Sequence, residues 1–151
     1  MRVYLVIMDE SEEAHGALRF ATRRALKTDG AVHILVIVPP QPFSAFAGIQ
    51  ATIEDEARDR AEVMATAAAG SVVSESGMMP KITVETGDAV DIARWYLEGH
   101  PEVHALVLGA AAHGAAGPLV AHFTSTGLGA LPCPLMIVPG GLSDAEIDRL
   151  S

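Results

Sequence analysis

Short apolar runs alternate along this chain with longer stretches in which apolar residues recur every three or four positions. Five runs stand out: RVYLVIM (2–8), VHILVIV (32–38), KITVET (81–86), HALVLG (104–109) and LMIVP (135–139). A run apolar at successive positions predicts a strand covered on both faces, as in a parallel sheet. KITVET is the exception, alternating in character.

The stretches between them predict helices. Ser11 can cap a helix whose apolar residues are Leu18, Ala21, Ala25 and Leu26; Glu12 and Glu13 in its first turn suit the macrodipole, and Gly30 ends it. Pro39, Pro40 and Pro42 stop the second strand and begin a loop over 39–50 that carries Phe43 and Phe46. The alanine-rich residues 52–76 predict a long helix with Gly70 as its weak point. Gly87 and Asp88 turn the chain into a helix over DAVDIARWYLEG (88–99). After Gly109 a glycine-rich loop leads to a helix over about 118–131, with Pro118 in its first turn and Pro132-Cys133-Pro134 beyond its end. Ser143 and Glu146 form a capping box for a short terminal helix.

Strand and helix alternating in this order require an α/β fold, with a five-stranded parallel sheet, right-handed crossovers and helices on both faces. Residues 1–140 are expected to form one domain, with 141–151 as a short tail helix. In such sheets ligands bind beyond the carboxyl ends of the strands, where the strand order reverses. Three segments should converge there: Met8–Ser11, Ile37–Pro40 and Gly109–Pro118.

Composition narrows the function classes. Half of the 151 residues are apolar but only 5% are aromatic, so aliphatic side chains and alanine must fill the core. The formal net charge of −9 repels polyanions, which argues against nucleic acid or an anionic membrane as partner. No apolar run reaches the roughly 20 residues that span a bilayer. The first apolar segment is followed by acids and not by a small-residue cleavage site, so it reads as a strand and not as a leader. With Cys133 alone, no internal disulfide can form, and a reducing, cytoplasmic setting is expected.

Five segments then carry a resemblance that covers nearly the whole chain: IMDESEEAHGALRFATRRAL, GAVHILVIVPP, VETGDAVDIARWY, HALVLGAAAHG and LPCPLMIVPG. Together they resemble the universal stress protein family. Met8-Asp9-Glu10-Ser11 stands where that family has Val-Asp-Gly-Ser, and Val36-Ile37-Val38-Pro39 where it has His-Val-Val-Pro. Gly87-Asp88 and the Pro132–Pro134 turn also have family counterparts. The resemblance implies a three-layer, Rossmann-like sandwich of the adenine-nucleotide α-hydrolase type over residues 1–140. It also implies a homodimer paired through the last strand, at Leu135, Met136, Ile137 and Val138. An apolar edge strand needs such a partner, or a cover, which the 141–151 tail could supply.

Family members that bind ATP hold adenosine with the Asp after the first strand and the Val after the second, which map onto Asp9 and Ile37. Asp9 is equally suited to a helix-start acid with no ligand. Phosphates are wrapped by Gly-x2-Gly-x9-Gly-(Ser/Thr), where glycines let backbone N–H groups approach the oxygens. Gly114-x2-Gly117-x9-Gly127 has that spacing, but Leu128 follows and Gly127 falls inside the predicted last helix. Matching Gly114 with Thr124-Ser125 puts a branched residue where close approach is needed. Counting instead from Gly109 and back from Pro134 puts the family's Gly-Ser on Ala121-His122, and that register also lets Phe123, Leu128 and Leu131 face the core. The strict ATP motif is therefore absent. The candidate cleft comprises Asp9, Ile37, Gly109, His113, Gly114, Gly117, Ala121 and His122, with His113 and His122 as donors beside the last helix. ATP or another adenine nucleotide is the candidate ligand, and no cofactor is assigned. The six histidines do not repeat at metal-ligand spacing, and no nucleophile elbow or Walker lysine is present. The expected function is regulatory and non-enzymatic, acting through a protein partner or a small ligand.

Overall fold

In the computed structural model, which describes residues 1–151, five strands lie side by side in one sheet. They are β1 (Val3–Met8), β2 (Ala31–Val38), β3 (Lys81–Thr86), β4 (Val103–Ala110) and β5 (Leu135–Pro139), ordered β3-β2-β1-β4-β5. Every pairing is parallel. Five α-helices connect and flank them: α1 (Glu12–Thr28), α2 (Ala47–Ser76), α3 (Ala89–Gly99), α4 (Pro118–Phe123) and α5 (Asp144–Leu150).

The unbroken apolar character of β1 follows from its place at the centre. Tyr4, Val6 and Met8 point to one face, where α1, α2 and α5 cover them; Val3, Leu5 and Ile7 point to the other, under α3 and α4. Side chains alternate across a strand, so only a strand buried on both sides is apolar at every position. On the first face, α2 packs through Ala57, Ala61, Ala65, Ala68 and Val72, a stripe small enough for helix and sheet to approach closely.

Local chemistry places most helix starts as expected. The Ser11 hydroxyl accepts from Ala14 N–H, Asp88 from Asp91 N–H, and Ser143 and Glu146 complete a reciprocal capping box. Four expectations need correction. The long helix begins at Ala47 and not at 52, taking over part of the 39–50 loop; its N-cap is Phe46, which has no side-chain cap bond. Gly70 does not interrupt it, because the helix continues for 30 residues. The last helix ends at Phe123, and the chain then turns into a single 3-10 turn over Leu128–Ala130, leaving Leu128 51% exposed and not core-facing. At the end of α1 the left-handed residue is Asp29 (φ 52°), not Gly30. Gly30 instead lies so near the chain start that a Cβ would sit 2.4 Å from the Arg2 carbonyl oxygen.

The tail docks on α1. Ile147 is buried in the first core cluster, and Asp148 accepts two bonds from the Arg19 guanidinium, at 2.7 and 2.8 Å, which hold its carboxyl below the usual range. No strand of the chain pairs with the outer edge of β5. No helix is long and apolar enough to cross a membrane.

Gly70 supports a first prediction. It sits in mid-helix with nothing within 4 Å of where a Cβ would be. Gly70→Ala should raise stability by roughly 0.5–1 kcal/mol through reduced backbone entropy. A higher urea midpoint at unchanged slope is the expected result, and an unchanged midpoint would refute it.

Candidate functional site

The helices that follow β1 and β4 leave the sheet on opposite faces, α1 toward the first core cluster and α4 toward the second. Between the ends of these two neighbouring strands a cleft of about 470 Å³ opens. This is the point where strand order reverses, as the topology requires. The three expected segments meet there: Met8, Asp9 and Ser11; Ile37, Pro39 and Pro40; Gly109 and Ala116–Pro118.

A fourth wall, Gly87–Val90, comes from the start of α3. The Gly-Asp pair was visible in sequence as a helix start, but its neighbourhood to Asp9 is set by β2 and β1 pairing and by no spacing along the chain. Gly87 takes φ 153° and donates its N–H to the Val38 carbonyl (3.0 Å), which steers α3 against the cleft. Leu119 and Val120 also line it, as does Glu13, which the sequence marked only as a first-turn acid of α1.

Of the eight candidate residues, Asp9, Ile37, Gly109 and Gly117 border the cleft; His113, Gly114, Ala121 and His122 do not. Asp9 Oδ1 accepts from the Ser11 backbone N–H (2.8 Å) and from the Ser11 hydroxyl, while its Oδ2 has no partner in the chain. Gly109 is dictated by packing, since a Cβ there would lie 2.1 Å from the Glu13 carbonyl oxygen. His113 and Gly114 are exposed on a loop in which Ala111 N–H donates to the Ala116 carbonyl (3.4 Å). His122 turns away: its Nε2 meets an Arg94 guanidinium nitrogen at 3.3 Å and its ring stands edge-on to Phe123. Gly127 lies against the same imidazole, where a Cβ would come within 2.5 Å of ring atoms. The third glycine of the phosphate-like spacing is thus a packing glycine beneath His122.

Electrostatically the cleft has one sign. Its ionisable lining side chains are Asp9, Glu13 and Asp88, with no Lys, Arg or His among them. The positive ends of α1 and α3, both directed here, are already occupied by the chain's own groups: Ser11, Glu12 and Glu13 on α1, and Asp88 and Asp91 on α3. A second depression of about 520 Å³ adjoins on the α2 side, sharing Asp9, Ser11, Ile37 and Pro39 with the cleft, and its lining includes Arg60 and Glu10. Cys133 packs against the second core cluster, and burial pushes its thiol up, away from the reactive thiolate. No group of three His, Cys, Asp or Glu side chains is placed to hold a metal ion.

Residues 1–139 match the profile of the Universal stress protein family. Among solved structures, UspA, a universal stress protein from Lactobacillus plantarum, is similar with a TM-score of 0.76 at 20% identity, covering 91% of this chain and 97% of that one. A universal stress protein in complex with cAMP gives 0.54 at 15%, covering 91% and 96%. A universal stress protein family protein from Arabidopsis thaliana with AMP bound gives 0.54 at 12%, covering 92% of each. At such identities the likeness shows a shared fold. No curated protein matches the chain.

Proposed function

The chain belongs to the universal stress protein family, and from that premise we propose that it acts without turnover, as a cytoplasmic homodimer whose cleft takes up a small ligand and signals that occupancy to a regulatory partner. Residues 1–140 carry the cleft, and the 141–151 tail braces α1.

The make-up of the cleft carries this reading. Its walls are largely apolar and its charged groups are all carboxylates, so it can hold a ligand but offers no cation to a leaving phosphate. Its one hydroxyl–acid pair, Ser11 with Asp9, is committed to starting α1. The test is to purify the protein without nucleotide, denature it and assay the supernatant. No stoichiometric adenine nucleotide is expected, and ATP with Mg²⁺ should leave the melting temperature unchanged to millimolar concentration. ATP recovered at one per chain, or phosphate released over time, would replace this reading with the second one. That second reading is an ATP-binding member with a nonstandard phosphate loop and slow hydrolysis; the relatives of the same fold that hold AMP and cAMP favour it.

For the dimer, the supporting feature is the unpaired edge of β5. Leu135 and Met136 are half-buried and Ile137 is 38% exposed, whereas Val138 is committed to the protomer's own core and can contribute only backbone. An apolar edge of this kind is stabilised by a second copy. Ile137→Asp should shift the mass from dimer to monomer in light scattering; an unchanged dimer would place the interface elsewhere.

A further inference from the structure

We propose that the face of α1 now covered by α5 is a docking site for a short acidic helix of a regulatory partner, which takes the place of the chain's own tail. This rests on the reading that the protein acts through such a partner, and says where the partner sits.

α1 presents a row of cations on that face. Arg19, Arg23 and Lys27 recur at every fourth position, and they are three of the ten lysines and arginines in a chain of net charge −9. Beside the row is a notch: with no side chain at Gly16, Ile147 Cδ1 comes to 3.4 Å from where a Cβ would be. Two adjacent residues of the tail match both features. Ile147 fills the notch and is buried, while Asp148 takes Arg19 Nε and Nη2 at 2.7 and 2.8 Å, with Arg23 Nε 3.3 Å from the same carboxylate. Lys27 Nζ then donates to the Asp148 main-chain carbonyl at 3.1 Å. What this face recognises is thus a helix with an apolar side chain followed at once by a carboxylate.

The resident tail is held loosely enough to be displaced. α5 has seven residues, too few to persist as a helix by itself, and within it only Ile147 is buried. The Arg19 and Asp148 side chains stay 28% and 27% exposed, so water competes for their pairing. Nor does α5 fill the groove: a cavity of about 350 Å³ remains between α1, α5 and the end of α2, bordered by His15, Arg19, Ser71 and Glu75. Glu13 lines this cavity and the ligand cleft alike, so a docked partner and a bound ligand would flank one residue. α5 also lies beyond the family match, which ends at residue 139.

The probe is a fluorescein-labelled peptide of residues 141–151, followed by anisotropy against the full chain. Asp148→Arg sets a like charge against Arg19 and Arg23 without altering a core side chain, so it opens the tail: amide exchange over 146–150 should quicken at least tenfold. That variant should bind the peptide at least tenfold more tightly than the wild type does, and 0.3 M NaCl should weaken the binding. Ile147→Ala, which empties the notch, should act in the same direction, and a peptide carrying the Asp148→Arg change should not bind. In isotope-labelled wild type, excess peptide should quicken exchange of the tail, which reads displacement directly. Variants whose tails exchange quickly yet bind the peptide no more tightly than the wild type overturn the docking site. So does a tail that stays protected in both variants. Either failure leaves the cleft reading to its own nucleotide assay.

Discussion

Gly109→Ala is expected to destabilise the protein by about 3 kcal/mol, at the upper end of what overpacking costs. Gly109 is the last residue but one of β4, paired with Val138, and its Cα faces the first turn of α1. A Cβ would lie 2.1 Å from the Glu13 carbonyl oxygen and 2.4 Å from its carbon. Both atoms are backbone, so no rotamer change relieves the clash. α1 cannot slide away cheaply, because Ala14, Ala17, Leu18 and Ala21 along its length are buried against the sheet. For a domain of this size the loss corresponds to a fall in melting temperature of roughly 6–12 °C. Gly114→Ala is the contrasting control: it has open space around it and φ 74°, so it should cost only the ~1–2 kcal/mol of a left-handed L-residue. Equal urea midpoints for Gly109→Ala and the wild type would mean that α1 and β4 do not meet as described.

The same glycine separates what the sequence could say from what it could not. Strands and their parallel order were legible because a strand buried on both faces leaves an unbroken apolar run, as in VYLVIM. Helix starts at Ser11, Asp88 and Ser143 were legible because capping is chemistry between near neighbours, and the start at Pro118 because its fixed φ suits a first helical turn. The start of α2 was not, since Phe46 makes no cap bond and α2 is held by tertiary packing of its alanine stripe.

The end of α4 misled for a related reason. Phe123, Leu128 and Leu131 recur as a helix face would, yet the helix closes when the Thr124 and Ser125 hydroxyls bond the Val120 and Ala121 carbonyls and Gly127 N–H bonds the His122 carbonyl. These bonds offer the backbone an alternative to continuing. In the cleft, glycine spacing carried even less information. Gly114 and Gly117 answer a positive φ and Gly127 answers the His122 ring, two unrelated causes that happen to reproduce a phosphate-loop interval. The charge of the cleft, by contrast, depends on Glu13 and Asp88 meeting from distant parts of the chain, which only the fold reveals.

The largest expected loss lies at the other end of the sheet, where Tyr96→Ala should cost about 3–5 kcal/mol, as for other large buried aromatics. Tyr96 is fully buried between β2 and its own helix. Its hydroxyl meets His33 Nδ1 at 2.9 Å, and its ring stacks on His100 with centroids 3.8 Å apart. His100 Nδ1–H donates to the Tyr96 carbonyl (2.8 Å), leaving Nε2 to accept from Lys81 Nζ (3.3 Å). Burial, reinforced by the Lys81 charge, lowers the His33 pKa below its ordinary value. In the folded state His33 therefore holds its proton less well than in the unfolded chain, which takes one up near pH 6.5. Its contribution to stability is full above pH ~6.5 and falls as the solution is acidified below that point, by at most about 1.4 kcal/mol per pH unit, until the folded pKa is passed. Tyr96→Ala opens the site to water, so the variant should lose both absolute stability and the part of the pH slope due to His33. Urea midpoints at pH 7.5 and 5.5, with a histidine-resolved NMR titration of His33, measure the two effects separately. A His33 that titrates at its ordinary value in the wild type would remove the pH argument. A Tyr96→Ala variant as stable as the wild type would remove the packing argument, because a ring that size cannot leave a close-packed interior without a cavity or a collapse.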